Sequence, residues 1–177
     1  MSKPITGDEF AGLLRTFKRT AFRLETRDRY NEDYEQADLS LFLAGTPRRP
    51  DETDWFRPWM EQVARQVAED KRISRVRVQA DPPTDYQRWE RWVGTWNIAA
   101  GEDIGYMTRS RAREIGLPLG HDWWLLDDER VIQMFFTKAG EIDEKILTAD
   151  PGIVAQYLKW RDLAVRNATP AEEIAAA

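Results

Sequence analysis

Arginine and glutamate alternate along two short segments of the chain, in a spacing typical of one face of a β-strand. Side chains two residues apart point to the same side of a strand, so each segment should carry a row of charged groups. The two rows are Arg23, Glu25 and Arg27 in the first segment, and Arg75, Arg77 and Gln79 in the second.

If the two rows lie side by side in one sheet, two interpretations are open. The first is a solvated sheet face with cross-strand ion pairs, each worth about 0.2–1 kcal/mol. The second is a pocket in which the guanidinium groups bind a small anionic ligand, such as a carboxylate or a phosphate, with forked hydrogen bonds.

Carboxylates flank the predicted strands and could act as general acid and base or bind a hard cation. Glu102 and Asp103 begin one predicted strand, Asp127 lies at a hairpin tip, and Asp85 lies at a helix start. Structural roles compete with these functions, because aspartate bonds its own backbone in turns and favours the positive end of a helix.

The predicted ligand-binding set combines the arginine rows, these carboxylates and one tryptophan close to a loop. Its members are Arg23, Glu25, Arg27, Arg75, Arg77, Asp85, Trp89, Glu102, Asp103 and Asp127. No residue is predicted to be catalytic or to bind a metal, and no cofactor is predicted.

Several residue types used in catalysis are scarce. The absence of cysteine excludes thiolate nucleophiles and disulfides. His121 is the only histidine, which removes most two-histidine metal sites. No serine lies in a Gly-x-Ser-x-Gly elbow, and no glycine-rich phosphate loop is present. Most of the eight tryptophans fall on predicted core faces, which favours packing over base or sugar stacking.

Charge and hydropathy limit the kinds of partner that the protein can bind. The net charge of −5 argues against direct nucleic-acid binding, which needs a basic surface. No run of about 18 apolar residues is present, and the N-terminus lacks the apolar stretch of a signal peptide. We therefore expect a cytoplasmic protein that does not bind membranes.

The elements that must position these residues follow from periodicity and capping signals. Helices are predicted to begin at the capping boxes Thr6–Glu9 and Thr84–Gln87, and after Asp150. Further helices are predicted around 39–43, over 55–69 and, as a short turn, over 110–115. Strands are predicted over 21–27, 73–79, 103–108, 123–126, 130–136 and 141–147.

This order predicts an α+β fold with a single mixed β-sheet of about five to six strands covered by helices. The segment 73–109 should form a strand–helix–strand crossover, and the segment 123–147 an antiparallel meander. We predict one α+β domain over residues 1–168 and a flexible C-terminal tail over 169–177.

Several segments resemble an uncharacterised actinobacterial family of about 170 residues, a domain of unknown function. They are residues 21–28, 84–86, 100–104, 124–128, 155–157 and 160–164. The resemblance implies a bacterial cytoplasmic protein, often encoded beside helix-turn-helix regulators. It supplies no catalytic residues, because the family has no established activity.

Two functions remain open at this point. The first is a non-catalytic regulatory or interaction protein that partners a DNA-binding regulator and senses a small anionic ligand. The alternative is a small-molecule enzyme that uses carboxylates and arginines near the C-terminal strand ends. At the level of the fold the arrangement is similar to phospholipase-D-like domains, but the paired His-x-Lys motifs of their active members are absent.

Overall fold

One eight-stranded sheet organises the structure, a computed structural model that describes residues 2–175. The strands are β1 (Lys3–Pro4), β2 (Thr20–Glu25), β3 (Arg72–Gln79), β4 (Asp103–Thr108), β5 (Asp122–Leu126), β6 (Arg130–Phe136), β7 (Ile142–Thr148) and β8 (Thr169–Pro170). The helices are α1 (Gly7–Thr16), α2 (Asp33–Leu43), α3 (Arg57–Ala68), α4 (Asp85–Ala99), α5 (Arg109–Glu114), α6 (Pro151–Asn167) and α7 (Ala171–Ala175).

The sheet order is β1-β7-β6-β5-β2-β3-β4-β8. Strands β2, β3 and β4 are parallel neighbours, and α4 connects β3 to β4 as the predicted crossover. Strands β5, β6 and β7 form the predicted antiparallel meander. The prediction of a mixed sheet covered by helices is therefore confirmed.

The predicted number of strands, five to six, is wrong because both edge strands were missed. Strands β1 and β8 have two residues each and pair with β7 and β4. A two-residue strand is too short to show the alternation on which strand prediction depends. Strand β8 and helix α7 lie within the segment predicted as a flexible tail, whose residues 176 and 177 are outside the described residues.

Helix starts follow the predicted capping chemistry. The Thr6 and Thr84 hydroxyl groups accept from the backbone N–H of Glu9 and Gln87, and both capping boxes are complete. The capping box at Thr84 sets the start of α4, the helix that covers the charged rows. Among residues 2–175 no helix combines the length and apolar character that crossing a bilayer needs.

Alternation along the central strands sends side chains to two different layers. Phe22, Leu24, Val76 and Val78 face one side and are buried in a cluster that also contains Tyr157 of α6. The opposite side of the sheet is covered by α1, α2, α3 and α4. The charged rows lie on this second side, toward the C-terminal ends of the parallel strands.

The two charged rows are neighbours, as predicted, with Arg23 opposite Arg75 and Glu25 opposite Arg77. The interpretation as a solvated sheet face is wrong, because α4 covers this part of the sheet. Glu25, Arg75 and Arg77 are only 4%, 6% and 5% exposed. The ion pairs between the strands are therefore buried.

Candidate functional site

Three guanidinium groups converge on the carboxylate of Glu25 at the end of β2. Arg77 Nε donates to Glu25 Oε2 over 2.6 Å, and Arg75 Nη1 donates to Glu25 Oε1 over 3.2 Å. Arg23 Nη1 lies 3.1 Å from the same Oε1. Burial by itself would raise the pKa of Glu25, but the three guanidinium charges outweigh it and hold that pKa well below its usual range.

Each of these arginines also contacts a second carboxylate. Arg75 Nε donates to Glu102 Oε1 over 2.5 Å, Arg77 Nε lies 3.5 Å from Glu90 Oε1, and Arg23 Nη2 lies 3.6 Å from Asp122 Oδ2. We call this set the arginine–carboxylate network. It consists of Arg23, Glu25, Arg75, Arg77, Glu90, Glu102 and Asp122.

Neighbouring polar groups fix the outer carboxylates. Asn97 Nδ2 donates to Glu102 Oε2 over 2.8 Å. Asp122 accepts from the Thr26 backbone N–H over 2.8 Å and from the Tyr30 hydroxyl over 2.5 Å. Because buried charges are stable only when paired and hydrogen-bonded, these contacts hold the network in one arrangement.

Helix α4 can cover the network because its inner face carries small and polar residues among the tryptophans. Gly94 is the point of closest approach, where an added Cβ would lie 3.1 Å from Arg77 Nη1 and 3.2 Å from Tyr106 Oη. One turn earlier, the backbone carbonyl of Glu90 accepts from Arg77 Nη1 over 2.9 Å. The glycine thus allows the helix backbone itself to bind the arginine.

A cavity of about 310 Å³ lies between the network and helices α2, α3 and α4. Its charged lining residues are Arg23, Glu25, Glu32, Glu35, Arg75, Arg77 and Glu90. Its aromatic lining residues are Phe10, Tyr30, Tyr34, Trp55, Phe56, Trp59, Tyr86, Trp89, Trp124 and Phe136. We refer to it as the aromatic cavity.

The aromatic rings form a connected wall along one side of the cavity. The ring centroids of Tyr34 and Trp55 are 5.4 Å apart, and Trp55 lies 6.2 Å from Trp89. Trp89 lies 5.4 Å from Tyr86, which lies 6.1 Å from Tyr30. Tyr34 is 52% exposed and therefore lies at the mouth of the cavity.

Two glutamates of the cavity hold protons near neutral pH. Burial raises the pKa of Glu35 to about 8. The negative charges of Glu90, Glu32 and Glu25 add to this rise, and the hydrogen bond from Tyr86 opposes it. Burial likewise raises the pKa of Glu90 to about 7, although Arg77 opposes the rise. A ligand in the cavity would therefore meet carboxyl groups that can change charge at physiological pH.

Four lining residues carry a buried polar atom without a hydrogen-bond partner among the described residues. These atoms are Arg23 Nε, Trp89 Nε1, Asn97 Oδ1 and Trp124 Nε1. Such atoms are rare in folded proteins, and each calls for an explanation such as a functional role or a bound water. Their concentration around one cavity distinguishes it from the rest of the interior.

The structure brings together six of the ten predicted site residues. Arg23, Glu25, Arg75, Arg77 and Trp89 line the aromatic cavity, and Glu102 supports it from behind. Arg27 lies at the edge, with its Cζ atom 5.2 Å from the centroid of the Phe136 ring.

The other three predicted residues lie elsewhere and have local partners. The carboxylates of Asp85 and Asp103 are mostly exposed and pair with Arg88 and Arg72. Asp127 lies at the turn between β5 and β6, where it accepts from the backbone N–H of Arg19 over 2.7 Å and also from the two neighbouring N–H groups. This last carboxylate therefore ties the β5–β6 turn to the segment that leads into β2.

Apart from Trp89, the sequence prediction missed the residues that the helices contribute to the cavity. Polar residues at positions 87, 90 and 97 and the glycine at 94 follow the helical repeat on the same face as Trp89, and this mismatch could have revealed Glu90 and Asn97. Glu35 gives no such signal, because its position depends on how α2 packs against Tyr86.

His121 lies outside the aromatic cavity. Its Nε2 atom is 2.7 Å from the Tyr157 hydroxyl group, and its ring stacks on Phe135 with a centroid distance of 5.2 Å. Burial lowers the pKa of His121, so the neutral imidazole is favoured. These contacts are on the α6 side of the sheet.

Solved structures of similar fold place the sheet and its helices in a known architecture. NucT from Helicobacter pylori has a TM-score of 0.55 at 7% identity, covering 96% of this chain and 98% of that chain. Nuc from Salmonella typhimurium, a phospholipase D family member, has a TM-score of 0.54 at 10% identity, covering 96% and 97% of the two chains. Phosphatidylserine synthase from Haemophilus influenzae has a TM-score of 0.51 at 10% identity, covering 96% of this chain and 39% of that chain.

At such low identity these similarities concern the fold alone. No curated protein matches the sequence. The family model described as "Domain of unknown function (DUF6879)" matches residues 8–176, which is nearly the whole chain. The protein therefore belongs to this family.

Proposed function

We propose that this protein is a cytoplasmic, non-catalytic binding domain that holds a small molecule in the aromatic cavity and acts through a protein partner. The observation that carries the proposal is the cavity itself. It encloses about 310 Å³ between aromatic rings and a buried polar network. Small-molecule sites are typically apolar cavities of roughly 300–1,000 Å³ with a few convergent polar groups.

Chemistry of the phospholipase D type receives no support from the residues. The single histidine, His121, is bound to Tyr157 on the opposite side of the sheet from the aromatic cavity. The arginines of the cavity hold carboxylates of the same chain. The fold is thus used here as a scaffold for binding.

A thermal-shift screen with a library of metabolites tests the binding function. We expect at least one compound to raise the melting temperature, because a ligand that binds only the folded state stabilises it. The Tyr34→Ala variant, which opens the mouth of the cavity, should lose this response. Leu43→Ala is the matched control, since Leu43 lies on the same helix, is 50% exposed and is absent from the cavity lining.

The binding proposal fails if no compound stabilises the wild type. It also fails if Tyr34→Ala responds to every ligand as strongly as Leu43→Ala does, because the site would then lie outside the aromatic cavity.

The proposed partner is a helix-turn-helix regulator, and the support for it is the resemblance of six sequence segments to an actinobacterial family often encoded beside such regulators. Affinity capture from the native host, followed by mass spectrometry, should recover a DNA-binding protein. Recovery of no specific protein would contradict this part of the proposal.

One observation favours catalysis as a second candidate function. The carboxyl groups of Glu35 and Glu90, with pKa values of about 8 and 7, could exchange protons with a bound substrate near neutral pH. Incubation of the identified ligand with the protein distinguishes the two functions. Recovery of unchanged ligand supports binding alone, whereas conversion that disappears in Glu90→Gln supports an enzyme.

A further inference from the structure

Carboxyl groups outnumber guanidinium groups around the aromatic cavity. Three guanidinium groups and four carboxyl groups line it. Glu102 and Asp122 add two more carboxylates from behind, each in contact with one of the same arginines. Because all three arginines have partners within the protein, an anionic ligand would have to compete with Glu25 for them.

Two of the lining glutamates have no basic partner among the described residues. Glu35 and Glu32 form no ion pair with any lysine or arginine of the described chain. The side chain of Glu35 is instead held by the Tyr86 hydroxyl group, which donates to Oε2 over 2.7 Å. Its position is thus fixed, and the negative charge that it acquires on ionisation has no counterpart in the part of the protein that the structure describes.

The aromatic wall beside Glu35 also has no cation. The rings of Tyr30 and Trp124 already stack against Arg23, at 5.8 Å and 5.6 Å from the guanidinium carbon. Over the region that the structure describes, no lysine or arginine lies above the rings of Tyr34, Trp55 or Tyr86. Aromatic faces next to a carboxylate are the groups that recognise alkylated ammonium ions.

We infer that the ligand of the aromatic cavity is an organic monocation, an alkylated ammonium group that lies against Tyr34, Trp55 and Tyr86 and pairs with Glu35. This inference rests on the proposed binding function and specifies its ligand class. It replaces the anionic ligand predicted from the sequence, where the arginines could be counted but their partners could not be seen. Cations over aromatic rings gain most when they are desolvated, as in a half-closed cavity.

Calorimetric titration with three compounds of similar shape, carried out above pH 8 where the Glu35 carboxyl group is ionised, isolates the effect of the ligand's charge. The compounds are choline, its uncharged carbon isostere dimethylbutanol and the anion dimethylbutanoate. We expect choline to bind about ten-fold more tightly than dimethylbutanol, as a desolvated cation–π contact with a carboxylate partner implies. Glu35→Gln should weaken choline binding about ten-fold and leave dimethylbutanol within about two-fold of the wild type.

The other outcomes separate this inference from the binding function. If dimethylbutanoate binds more tightly than choline and Tyr34→Ala abolishes its binding, the cavity is a site but the inferred charge is wrong. If Glu35→Gln weakens choline and dimethylbutanol equally while remaining folded, the carboxylate does not recognise the charge. If none of the three compounds binds, the inference fails, and the thermal-shift screen alone decides the binding function.

Discussion

Glu25 connects all three arginines of the network, so its charge matters more to the fold than that of a surface glutamate. Removal of one partner from a buried ion pair leaves the others uncompensated, at a cost of about 3–5 kcal/mol. We expect Glu25→Gln to lower the free energy of unfolding by that amount in urea denaturation. Asp85→Asn, which breaks a surface ion pair, should cost less than about 1 kcal/mol. Equal effects of the two changes would contradict the central role of Glu25.

Glu35 should make stability depend on pH in the direction opposite to that of most carboxyl groups. Its pKa rises from 4.5 in the unfolded chain to about 8 in the folded protein, because of burial and the nearby charges of Glu90, Glu32 and Glu25. The folded state therefore binds the proton more tightly. This stabilisation is complete below pH 4.5 and is lost as the pH rises through 8.

Denaturation curves at pH values of about 6 and 8.5 test the direction of this effect. Over this range the free energy of unfolding changes steeply with pH if a buried group has such a pKa. After allowance for solvent screening, the free energy of unfolding of the wild type should fall by about 1–2 kcal/mol more than that of Glu35→Gln over this range. Parallel loss in the two proteins would show that the pKa of Glu35 is not raised.

At the scale of elements, the approach of α4 to the sheet depends on Gly94. An added methyl group would lie 3.1 Å from Arg77 Nη1 and 3.2 Å from Tyr106 Oη, so the helix or the arginine must move. We expect Gly94→Ala to destabilise the fold by about 1–3 kcal/mol in thermal or urea unfolding. Gly12→Ala is the control, because the nearest atom to its Cβ is 3.9 Å away. That change should be neutral or stabilise α1 by up to about 1 kcal/mol.

The same elements show what local sequence can and cannot predict. Alternation placed Arg23, Glu25, Arg75 and Arg77 on one face, because strand periodicity is a local property. Their burial was not predictable, since it depends on a helix whose inner face mixes tryptophan with polar residues. Glu35 joins the site through the packing of α2, a contact between elements that are distant in sequence.

At the scale of the whole molecule, the mixed sheet, the crossover and the meander were predictable from the order of elements. The two edge strands were not, because two residues carry no periodicity. Charge was the least predictable property. The sequence shows which residues are charged, but the sign of a cavity depends on which charges neutralise one another after folding, and here three arginines are bound by their own carboxylates.

Crystals soaked in tetramethylarsonium bromide above pH 8, where Glu35 is ionised, give the most direct test. Anomalous scattering distinguishes arsenic from bromine, so one crystal shows which of the two ions enters the cavity. We predict an arsenic peak in the aromatic cavity, against Tyr34, Trp55 and Tyr86 and close to the Glu35 carboxylate. A bromine peak beside Arg23 or Arg77, with no arsenic in the cavity, would contradict the account.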